Sequence, residues 1–342
     1  MGHVRTALIG YGLAGRVIHR PLLTSVDAIR LTHVVTSDPV RRSEAARDVP
    51  EAALIRSADE LWSRAEEFDA VVVATSNEAH VALATRALEL SKAVVVDKPL
   101  ALTCSDAAGL VARAQSLGVP LSPFHNRRWD SDTLTAHDLL ASGRLGAVHR
   151  MESRFTRFRP EVVDRWRERP GGGGVLLDLG THLVDQALHL LGPVRSVYAE
   201  IERRRAGAVV DDDCLLALTH DSGASSLLWC SAAAPWTGPR LVLQGSDAGW
   251  VKHDLDGQEA AQHDGIAVPR EPDGWLHDRR GAEPVESRSG DWAAFYRRFA
   301  GAVLDGGPLP VDPHDAVTVL RVLEAARLSA DCSQVVAVEP PA

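Results

Sequence analysis

The sequence predicts an α/β domain with a doubly wound parallel sheet, followed by an α+β domain with a large open, mostly antiparallel sheet. Through the first 125 residues, short apolar strands alternate with helical segments, as in a parallel sheet buried on both faces. A glycine-rich turn follows the first strand directly. After residue 125 the strands are longer and alternate apolar with polar residues, which is typical of antiparallel sheets. We therefore assign the domains to residues 1–124 and 125–342.

The elements of the first domain follow from this alternation. The predicted strands are Val4–Ile9, Leu31–Thr36, Ala70–Ala74, Ala93–Val96 and a short strand that ends at Pro123. The predicted helices are a segment through Leu23, then Ala58–Glu67, His80–Leu90 and Asp106–Leu117. Parallel strands need crossover connections, and helices at these positions supply them.

The second domain is predicted from period-2 alternation and three apolar helical segments. Its strands are His149–Phe155, Val194–Arg203, Cys214–His220, Ala224–Cys230 and Arg240–Gln244. Its helices are Leu179–Leu191, Trp292–Asp305 and His314–Asp331. Residues 252–290 are rich in Gly, Pro and charged side chains, so we expect a loop there. We expect no disordered tail beyond Pro340–Ala342.

A dinucleotide-binding turn is predicted by the run Gly10-Tyr11-Gly12-Leu13-Ala14-Gly15, because it joins a strand to a helix. The first glycine permits the tight turn, the second lets the backbone approach a pyrophosphate, and the third lets the helix pack on the strand. Unpaired N–H groups of the helix would bind the phosphates. The alternative is a strand–helix connection without a ligand.

The end of the second strand bears on the choice between NADP and NAD. If Thr36 occupies the ribose-reading position, Thr36, Ser37 and Arg41 can receive the extra phosphate of NADP. If Asp38 points towards the ribose instead, its carboxylate selects NAD. We favour NADP. The alternative role for Arg41 and Arg42 is a solvated helix start.

A catalytic lysine is predicted where the strand Ala93–Val96 runs into Asp97-Lys98-Pro99. Ligands of doubly wound sheets bind at the carboxyl ends of the strands. An ammonium at Lys98 can therefore hydrogen-bond a substrate oxygen and assist its proton transfer. The alternative is an ordinary surface lysine.

A polar stripe is predicted on the leucine-rich helix after Gly171–Gly174. At about 100° per residue, Asp178, His182, Asp185 and His189 fall within about 60° of arc. The many leucines elsewhere on this helix favour a stripe that faces a cleft rather than solvent. His182 can exchange a proton near neutral pH, and Asp178 can orient it or contact a substrate. We interpret His189 as structural.

The composition excludes several function classes. The 37 Lys and Arg against 46 Asp and Glu give a formal net charge of −9, which argues against a nucleic-acid-binding surface. No apolar run reaches the roughly 20 residues of a membrane span, and the start lacks a secretory signal. The four cysteines form no CxxC pair, so we expect buried, reduced thiols in a cytoplasmic protein.

Taken together, the motifs ALIGYGLAG, VDKP and LLDLGTHLVDQA resemble those of the Gfo/Idh/MocA oxidoreductases. The resemblance runs essentially end to end. The segments GYGLAGRVIHRPL and NRRWD are most similar to the branch that contains NADP-dependent scyllo-inositol dehydrogenases. Two positions depart from the family pattern: Asp97 stands where Glu is usual, and Ser76 stands where Pro is usual.

The resemblance implies a Rossmann domain, a second domain often used for oligomerisation, and a set of site residues. Lys98, Asp178 and His182 match the catalytic residues of the family. Arg127, Asp178 and His182 are expected at the substrate. The expected cofactor-binding residues are the six of the glycine-rich turn with Thr36, Ser37, Arg41, Ala74, Thr75, Ser76, His80, Asp97, Lys98, Asn126 and Trp166.

The expected reaction is hydride transfer between NADP, or NAD, and a secondary alcohol or ketone of a sugar, inositol or related polyol. We expect no metal, nucleic-acid or membrane partner, and a homo-oligomer, either a dimer or a tetramer. One alternative is an NAD-dependent glycoside hydrolase on the same fold. A second is a metal-dependent hydrolase or lyase that uses the polar stripe, although ligands two helical turns apart converge poorly on one ion. A third is a dinucleotide sensor, which would need none of the catalytic residues.

Overall fold

The computed structural model describes residues 2–270 and 272–339, so the expectation for Pro340–Ala342 lies outside it. The strands of the first part are β1 (Val4–Ile9), β2 (Ile29–Val35), β3 (Ala53–Ile55), β4 (Ala70–Val73), β5 (Ala93–Val96) and β6 (Leu121–Pro123). The helices are α1 (Arg20–Thr24), α2 (Pro39–Asp48), α3 (Ala58–Trp62), α4 (His80–Glu89) and α5 (Cys104–Leu117). A π-helical turn, Ala14–His19, precedes α1, and a 3-10 turn, Ala65–Glu67, follows α3.

The six strands form one parallel sheet in the order β3-β2-β1-β4-β5-β6. This is the dinucleotide-binding order, in which the strand sequence reverses beside β1. Strands β4 and β5 each read Ala-Val-Val-Val and are buried at every residue, which confirms the prediction of a sheet covered on both faces. Strand β3 and helix α2 were not predicted, because both are short or poorly amphipathic.

Polar side chains fix where several helices begin. The Asp38 carboxylate accepts hydrogen bonds from the N–H groups of Val40 and Arg41, and Pro39 occupies the first helical position of α2. Thr103 caps α5 by accepting from the N–H of Asp106. Such caps satisfy N–H groups that have no partner within the helix. The cap at Asp38 engages one oxygen of the carboxylate that would select NAD if it pointed towards the ribose.

The second part begins with a 3-10 turn, Asn126–Trp129, and has a π-helical turn at Leu176–Gly180. Its strands are β7 (Val148–Thr156), β8 (Val194–Glu202), β9 (Asp213–His220), β10 (Ser225–Ser231), β11 (Leu241–Gly245), β12 (Gly249–Lys252), β13 (Gly274–Asp278), β14 (Gly281–Val285) and β15 (Val336–Ala337). Its helices are α6 (Ser131–Ala141), α7 (Thr181–Leu191), α8 (Gln258–Asp264), α9 (Ala293–Asp305) and α10 (Pro313–Cys332).

These strands form a nine-stranded sheet in the order β14-β13-β12-β11-β7-β10-β9-β8-β15. Every pair is antiparallel except β7 with β10, which confirms the prediction of a large, mostly antiparallel sheet. The prediction of a loop over residues 252–290 was wrong. Helix α8 and the hairpin β13–β14 lie there, and the hairpin escaped notice because four of the five residues of β14 are exposed and carry no apolar alternation.

The chain forms two compact units that are not continuous in sequence. The first contains Met1–Asn126 together with Gln258–Val268 and Asp291–Val317. The second contains Arg127–Gly257, Pro269–Gly290 and Thr318–Ala342. The units therefore differ from the continuous stretches 1–124 and 125–342, since two later segments return to the first unit.

All four cysteines are free thiols, as predicted from their spacing. Cys214 and Cys230 are buried and lie opposite one another on β9 and β10. Cys332 is exposed and Cys104 is half-buried, so the expectation that all four are buried was wrong. In the part of the chain that the structure describes, no helix has the length and apolar character of a membrane span.

Candidate functional site

The first parallel sheet brings the predicted cofactor residues to one edge. Gly10 follows β1, Thr36 follows β2, Ala74 follows β4 and Asp97 follows β5, while Asn126 lies three residues beyond β6. The N–H groups of Gly10, Ala74 and Asp97 donate to the last carbonyl of a neighbouring strand, at 3.0, 2.8 and 2.9 Å. This is the carboxyl edge, where doubly wound sheets bind ligands.

The glycines of the turn stand where a side chain would clash. Gly10 has a φ of +99°, and a Cβ there would lie 2.2 Å from the carbonyl oxygen of Ala74. A Cβ on Gly15 would lie 2.0 Å from the carbonyl oxygen of Gly10. Both distances are far below van der Waals contact, so the turn requires glycine at both positions. Gly12 leaves its backbone open on the side that faces the Arg41 guanidinium, 3.8 Å from the position of a Cβ.

The other residues of the turn differ in what they present. The Tyr11 side chain is buried, and its hydroxyl donates to Asp48 at 3.1 Å, so Tyr11 can offer a ligand only its backbone. Burial also raises the pKa of the Tyr11 hydroxyl. Leu13 is 53% exposed, and Ala14 begins the π-helical turn. The turn thus exposes backbone and one apolar side chain at the sheet edge.

The residues at the end of β2 that are expected at the ribose differ in exposure and in partners. Thr36 is buried and Ser37 is exposed. The Asp38 carboxylate caps α2, at 2.8 Å from the N–H of Val40 and 3.0 Å from that of Arg41. The Arg41 guanidinium reaches back to the glycine turn. The cap uses Asp38 Oδ1, whereas Asp38 Oδ2 lies 4.0 Å from Arg41 Nε, so the cation and the carboxylate form a long ion pair beside the turn.

Lys98 lies half-buried after β5, between two groups that fix its backbone. Its N–H donates to the Asp97 carboxylate at 2.8 Å, and its peptide bond with Pro99 is cis. The buried His80 donates through Nδ1 to the carbonyl oxygen of Pro99 at 2.8 Å, and burial lowers the pKa of this imidazole. His80 therefore supports the lysine segment from within. Half-buried Thr75 and Ser76 lie on the adjoining turn after β4.

Two residues that the sequence analysis missed stand behind Asp97. His19 and Tyr296 are both fully buried, and His19 Nδ1 lies 2.6 Å from the Tyr296 hydroxyl. His19 Nε2 lies 3.7 Å from Asp97 Oδ2, an electrostatic contact rather than a hydrogen bond. Burial alone would raise the pKa of Asp97, but the His19 ring and the Lys98 ammonium lower it to about 2. Asp97 is thus held ionised beside the candidate catalytic lysine.

We expect Asp97→Asn to reduce the acid sensitivity of folding. A carboxylate with a folded pKa of about 2 and an unfolded pKa of about 4 stabilises the fold above pH 4, and this contribution is lost as the pH falls towards 2. The variant should therefore lose less free energy of unfolding than the wild type between pH 5 and pH 2.5, as measured by urea titration. Asp59→Asn, on the surface of α3, controls for the removal of one charge. An equal loss in the wild type and Asp97→Asn would contradict the expectation.

In the second unit, the predicted polar stripe divides into two pairs with different surroundings. Asp185 is buried and forms a bidentate ion pair with Arg128, with N–O distances of 2.5 to 3.2 Å. The His189 ring packs against the ring of His137, with centroids 4.5 Å apart. Both side chains are therefore engaged with neighbouring elements, and the expectation that the entire stripe faces a cleft was wrong. His189 itself is exposed, and its interpretation as a structural residue stays a prediction.

Asp178 and His182 form the other half of the stripe. Asp178 lies in the π-helical turn and accepts a hydrogen bond from Arg167 Nε at 3.3 Å. His182, one residue into α7, stacks on Phe155 with ring centroids 6.3 Å apart. A π turn contains one residue more than an α turn, so the spacing of 100° per residue does not hold between these two positions.

Arg127 and Trp166, predicted at the substrate and the cofactor, each have a partner. Arg127 is buried, pairs with Asp130 at 2.9 Å, and lies over the Phe155 ring at 4.7 Å. Trp166 is half-buried, with the Arg167 guanidinium 4.4 Å above its ring. Asn126 is buried and belongs to the first unit, whereas Arg127 belongs to the second. Their contacts with ligands stay predictions.

The described residues offer no metal centre: across 2–270 and 272–339, no group of three or more His, Cys, Asp and Glu side chains could hold a metal ion. The chemistry that the arrangement supports is instead that of a dinucleotide cradle with a lysine beside it, and of a histidine with a neighbouring carboxylate in the second unit.

Comparison with family models gives two matches that follow one another along the chain. Residues 4–125 match the family described as an oxidoreductase family with an NAD-binding Rossmann fold. Residues 133–251 match the GFO/IDH/MocA C-terminal domain. The first range covers the parallel sheet, and the second covers the π-helical turn, α7 and most of the antiparallel sheet.

Similar proteins match over nearly the entire chain. The scyllo-inositol 2-dehydrogenase (NADP(+)) IolW of Bacillus subtilis is 33% identical, over 94% of this chain and 92% of the relative. The uncharacterized oxidoreductase YdgJ of Escherichia coli is 38% identical, over 94% and 95%. The solved structure of the putative oxidoreductase yvaA from Bacillus subtilis is 32% identical and superimposes with a TM-score of 0.92, over 98% of this chain and 99% of that chain.

Proposed function

The chain belongs to the Gfo/Idh/MocA family of NAD(P)-binding oxidoreductases, and we propose that it transfers a hydride between NADP and a secondary alcohol or ketone of a sugar, inositol or related polyol. The observation that carries the proposal is the carboxyl edge of the parallel sheet, where the glycine turn and Lys98 lie after β1 and β5. The name of the relative IolW, which refers to scyllo-inositol and NADP, supports the substrate class.

The residues at this edge fit a dinucleotide. At Gly10 and Gly15, carbonyl oxygens fill the space that a Cβ would take, so the backbone stays close to the strand ends. Gly12 leaves room beside the backbone of the turn. Backbone N–H groups at the start of a helix bind phosphate oxygens. When bound, the nicotinamide supplies the hydride acceptor or donor, and the protein supplies position and proton transfer.

Each catalytic candidate then has a distinct task. Lys98 donates a hydrogen bond to the reacting oxygen and stabilises the negative charge that develops there during oxidation. His182 accepts the hydroxyl proton and returns it in the reverse direction. Asp178 assists His182 or binds a substrate hydroxyl. Phe155, stacked on His182, limits the orientations of the imidazole.

The preference for NADP is supported at the end of β2. Its extra phosphate needs a cation and hydroxyl donors, and Arg41, Ser37 and Thr36 supply them. A carboxylate at the ribose would repel that phosphate, but Asp38 Oδ1 is bound to the N–H groups of α2 and Asp38 Oδ2 lies 4.0 Å from Arg41 Nε. These positions favour NADPH over NADH.

We expect Arg41→Ala to weaken NADPH binding by about tenfold or more and to leave NADH binding within twofold. The reason is that one charge-assisted hydrogen bond contributes about 1.5–3 kcal/mol, and about 1.4 kcal/mol corresponds to a factor of ten. Nicotinamide fluorescence titration measures both affinities. Arg47→Ala, exposed in the last turn of the same helix, is the matched control. Equal weakening of both cofactors would mean that Arg41 does not contact the extra phosphate.

The same titration, followed by a substrate screen, tests the proposed function. Wild-type protein should bind NADPH more tightly than NADH, and NADP should be reduced in the presence of at least one inositol, aldose or sugar acid. Tighter binding of NADH would place Asp38 at the ribose. Release of a free sugar from a glycoside without net reduction of the dinucleotide would favour the glycoside hydrolase. Binding of neither dinucleotide would contradict the proposal.

Assembly as a homo-oligomer, a dimer or a tetramer, is part of the proposal. Its support is the large antiparallel sheet, in which Leu227 on β10 and Trp275 on β13 are 38% and 44% exposed. The edge strand β14 is exposed at four of its five residues, and an open sheet with an exposed edge favours pairing with another surface. Light scattering of the purified protein measures the number of subunits directly, and a monomer mass would contradict this part.

A further inference from the structure

A cleft in the second unit is lined by an unusual number of arginines. It is open to solvent and lies where the parallel strands β7 and β10 end and β9 begins. The arginines that line it are Arg157, Arg159, Arg165, Arg167 and Arg205. They come from three separate segments of the chain, namely the end of β7, the 3-10 turn at Trp166–Glu168 with the residue before it, and the connection between β8 and β9. We call this cleft the arginine pocket.

The carboxylates of the arginine pocket do not balance its arginines. Glu168, Asp178 and Asp211 line it, so five positive and three negative groups leave a surplus of two positive charges. Arg205 also pairs with the fully buried Asp212, which leaves a surplus of one when that group is counted. Like charges gathered in a cleft repel one another unless an anion joins them. The protein holds this charge in place without a full internal counter-charge.

The carboxylates present are already committed to other groups. Glu168 binds both Arg165 and Arg205, at 2.8 and 2.6 Å. Asp178 accepts from Arg167, and Asp211 accepts from the N–H of Leu176 at 2.7 Å. Burial would raise the pKa of Glu168, but its bonds with Arg205 and Arg165 lower it below the ordinary value. The carboxylates therefore serve to fix the arginines and the π-helical turn.

Two donors in the arginine pocket lack an acceptor. Among the residues that the structure describes, the Arg159 guanidinium has no hydrogen-bonded or ion-paired partner. The Nε of Arg165 is buried and has no hydrogen-bond acceptor, although its Nη2 binds Glu168. A buried N–H without an acceptor is costly, and an oxyanion of a ligand would satisfy it.

We propose that the arginine pocket binds an oxyanion substituent, a carboxylate or a phosphate, of the sugar or polyol substrate. Asp178, a candidate catalytic residue, lines the same pocket, so a substrate anchored there lies beside it. The inference rests on the proposed function and narrows its substrate to acidic sugars, such as sugar acids or sugar phosphates. Neutral polyols would lack the group that the arginines recognise.

Calorimetric titration of the NADPH-loaded protein with three matched hexoses tests the inference. D-Glucuronate and D-glucose 6-phosphate carry a carboxylate and a phosphate, and D-glucose is their neutral counterpart. We expect at least one anionic sugar to bind about tenfold or more tightly than glucose, and the preferred anion identifies the group. Equal affinity for all three sugars, or preference for glucose, would overturn the inference.

Arginine variants locate the binding. Arg159→Gln, at an exposed position, and Arg165→Gln should each weaken binding of the preferred anionic sugar by about tenfold to a hundredfold, since a hydrogen bond to a charged group is lost. Arg169→Gln is the control, because it removes the same charge from the same segment but outside the pocket. Arg169 pairs there with the exposed Asp164. This variant should change binding less than twofold. Equal effects of all three variants would mean that only general charge attracts the sugar.

The titration also separates this inference from the proposed function. Arginine-dependent binding of an anionic sugar without any reduction of NADP would support the arginine pocket as an anion site and contradict the proposed dehydrogenase activity. Reduction of NADP by neutral polyols, with no preference for anionic sugars, would support the proposed dehydrogenase activity and contradict the arginine pocket as an anion site.

Discussion

Replacing Lys98 by alanine is expected to lower kcat by about 10²- to 10³-fold, while the Kd for NADPH changes less than threefold. The ammonium acts on the oxygen at which charge develops, so its loss raises the barrier of the reaction more than it weakens binding. Asp97 and His80 hold the backbone of this segment through hydrogen bonds that the substitution keeps. The cradle for the dinucleotide should therefore survive.

Steady-state kinetics on the best substrate from the screen measures kcat, and fluorescence titration measures the Kd. Lys92→Ala is the matched control, because Lys92 lies just before β5 and Lys98 lies just after it. This control should keep the wild-type kcat within twofold. If Lys98→Ala lost NADPH binding to the same extent as turnover, the role of Lys98 would be binding of the dinucleotide and not catalysis.

Substitution of Gly15 by alanine should abolish measurable NADPH binding and lower the stability of the first unit. A Cβ at this position meets the carbonyl oxygen of Gly10 at 2.0 Å, so the π-helical turn must move away from β1. Overpacking of this kind costs about 1–3 kcal/mol, and the displaced turn would no longer present its N–H groups to a phosphate. We expect the melting temperature to fall as well.

The matched control is Gly109→Ala, in the exposed middle of α5, where a Cβ has nothing within 4 Å. Alanine is favoured over glycine inside a helix by about 0.5–1 kcal/mol, so this variant should be slightly stabilised. Differential scanning fluorimetry and NADPH titration of both proteins give the comparison. A Gly15→Ala protein with wild-type melting temperature and affinity would show that the close approach is not required.

Features that depend on a short stretch of sequence were predicted well. Strands β1 and β5 have the predicted bounds, because runs such as Ala-Val-Val-Val between turn residues are distinctive. The glycine turn needs only six residues and its strand–helix context to be identified. Lys98 could be singled out as a candidate because it lies two residues beyond a buried strand. In each case the physical cause of the structure lies within about ten residues of the position.

Features that depend on distant partners could not be predicted. His19 and Tyr296 are separated by 277 positions, and nothing in either segment indicates that they meet. The same holds for Arg205, whose partner Glu168 lies 37 positions earlier in the chain. The hairpin β13–β14 was missed because its exposed strand lacks apolar alternation. The substrate cleft is built from such contacts, so the sequence indicated the cofactor more clearly than the substrate.

The helical turn at Leu176–Gly180 has a consequence for how related enzymes diverge. A π-helical turn differs from a regular turn by one inserted residue. Deleting one residue between Asp178 and His182 would convert this segment into a regular α turn, so Asp178 would lie three residues before the histidine instead of four, while the leucines of α7 kept their places in the core. A single-codon deletion or insertion at this point can therefore reorient an acid relative to a base without refolding the protein, which gives evolution a one-step route from one substrate geometry to another.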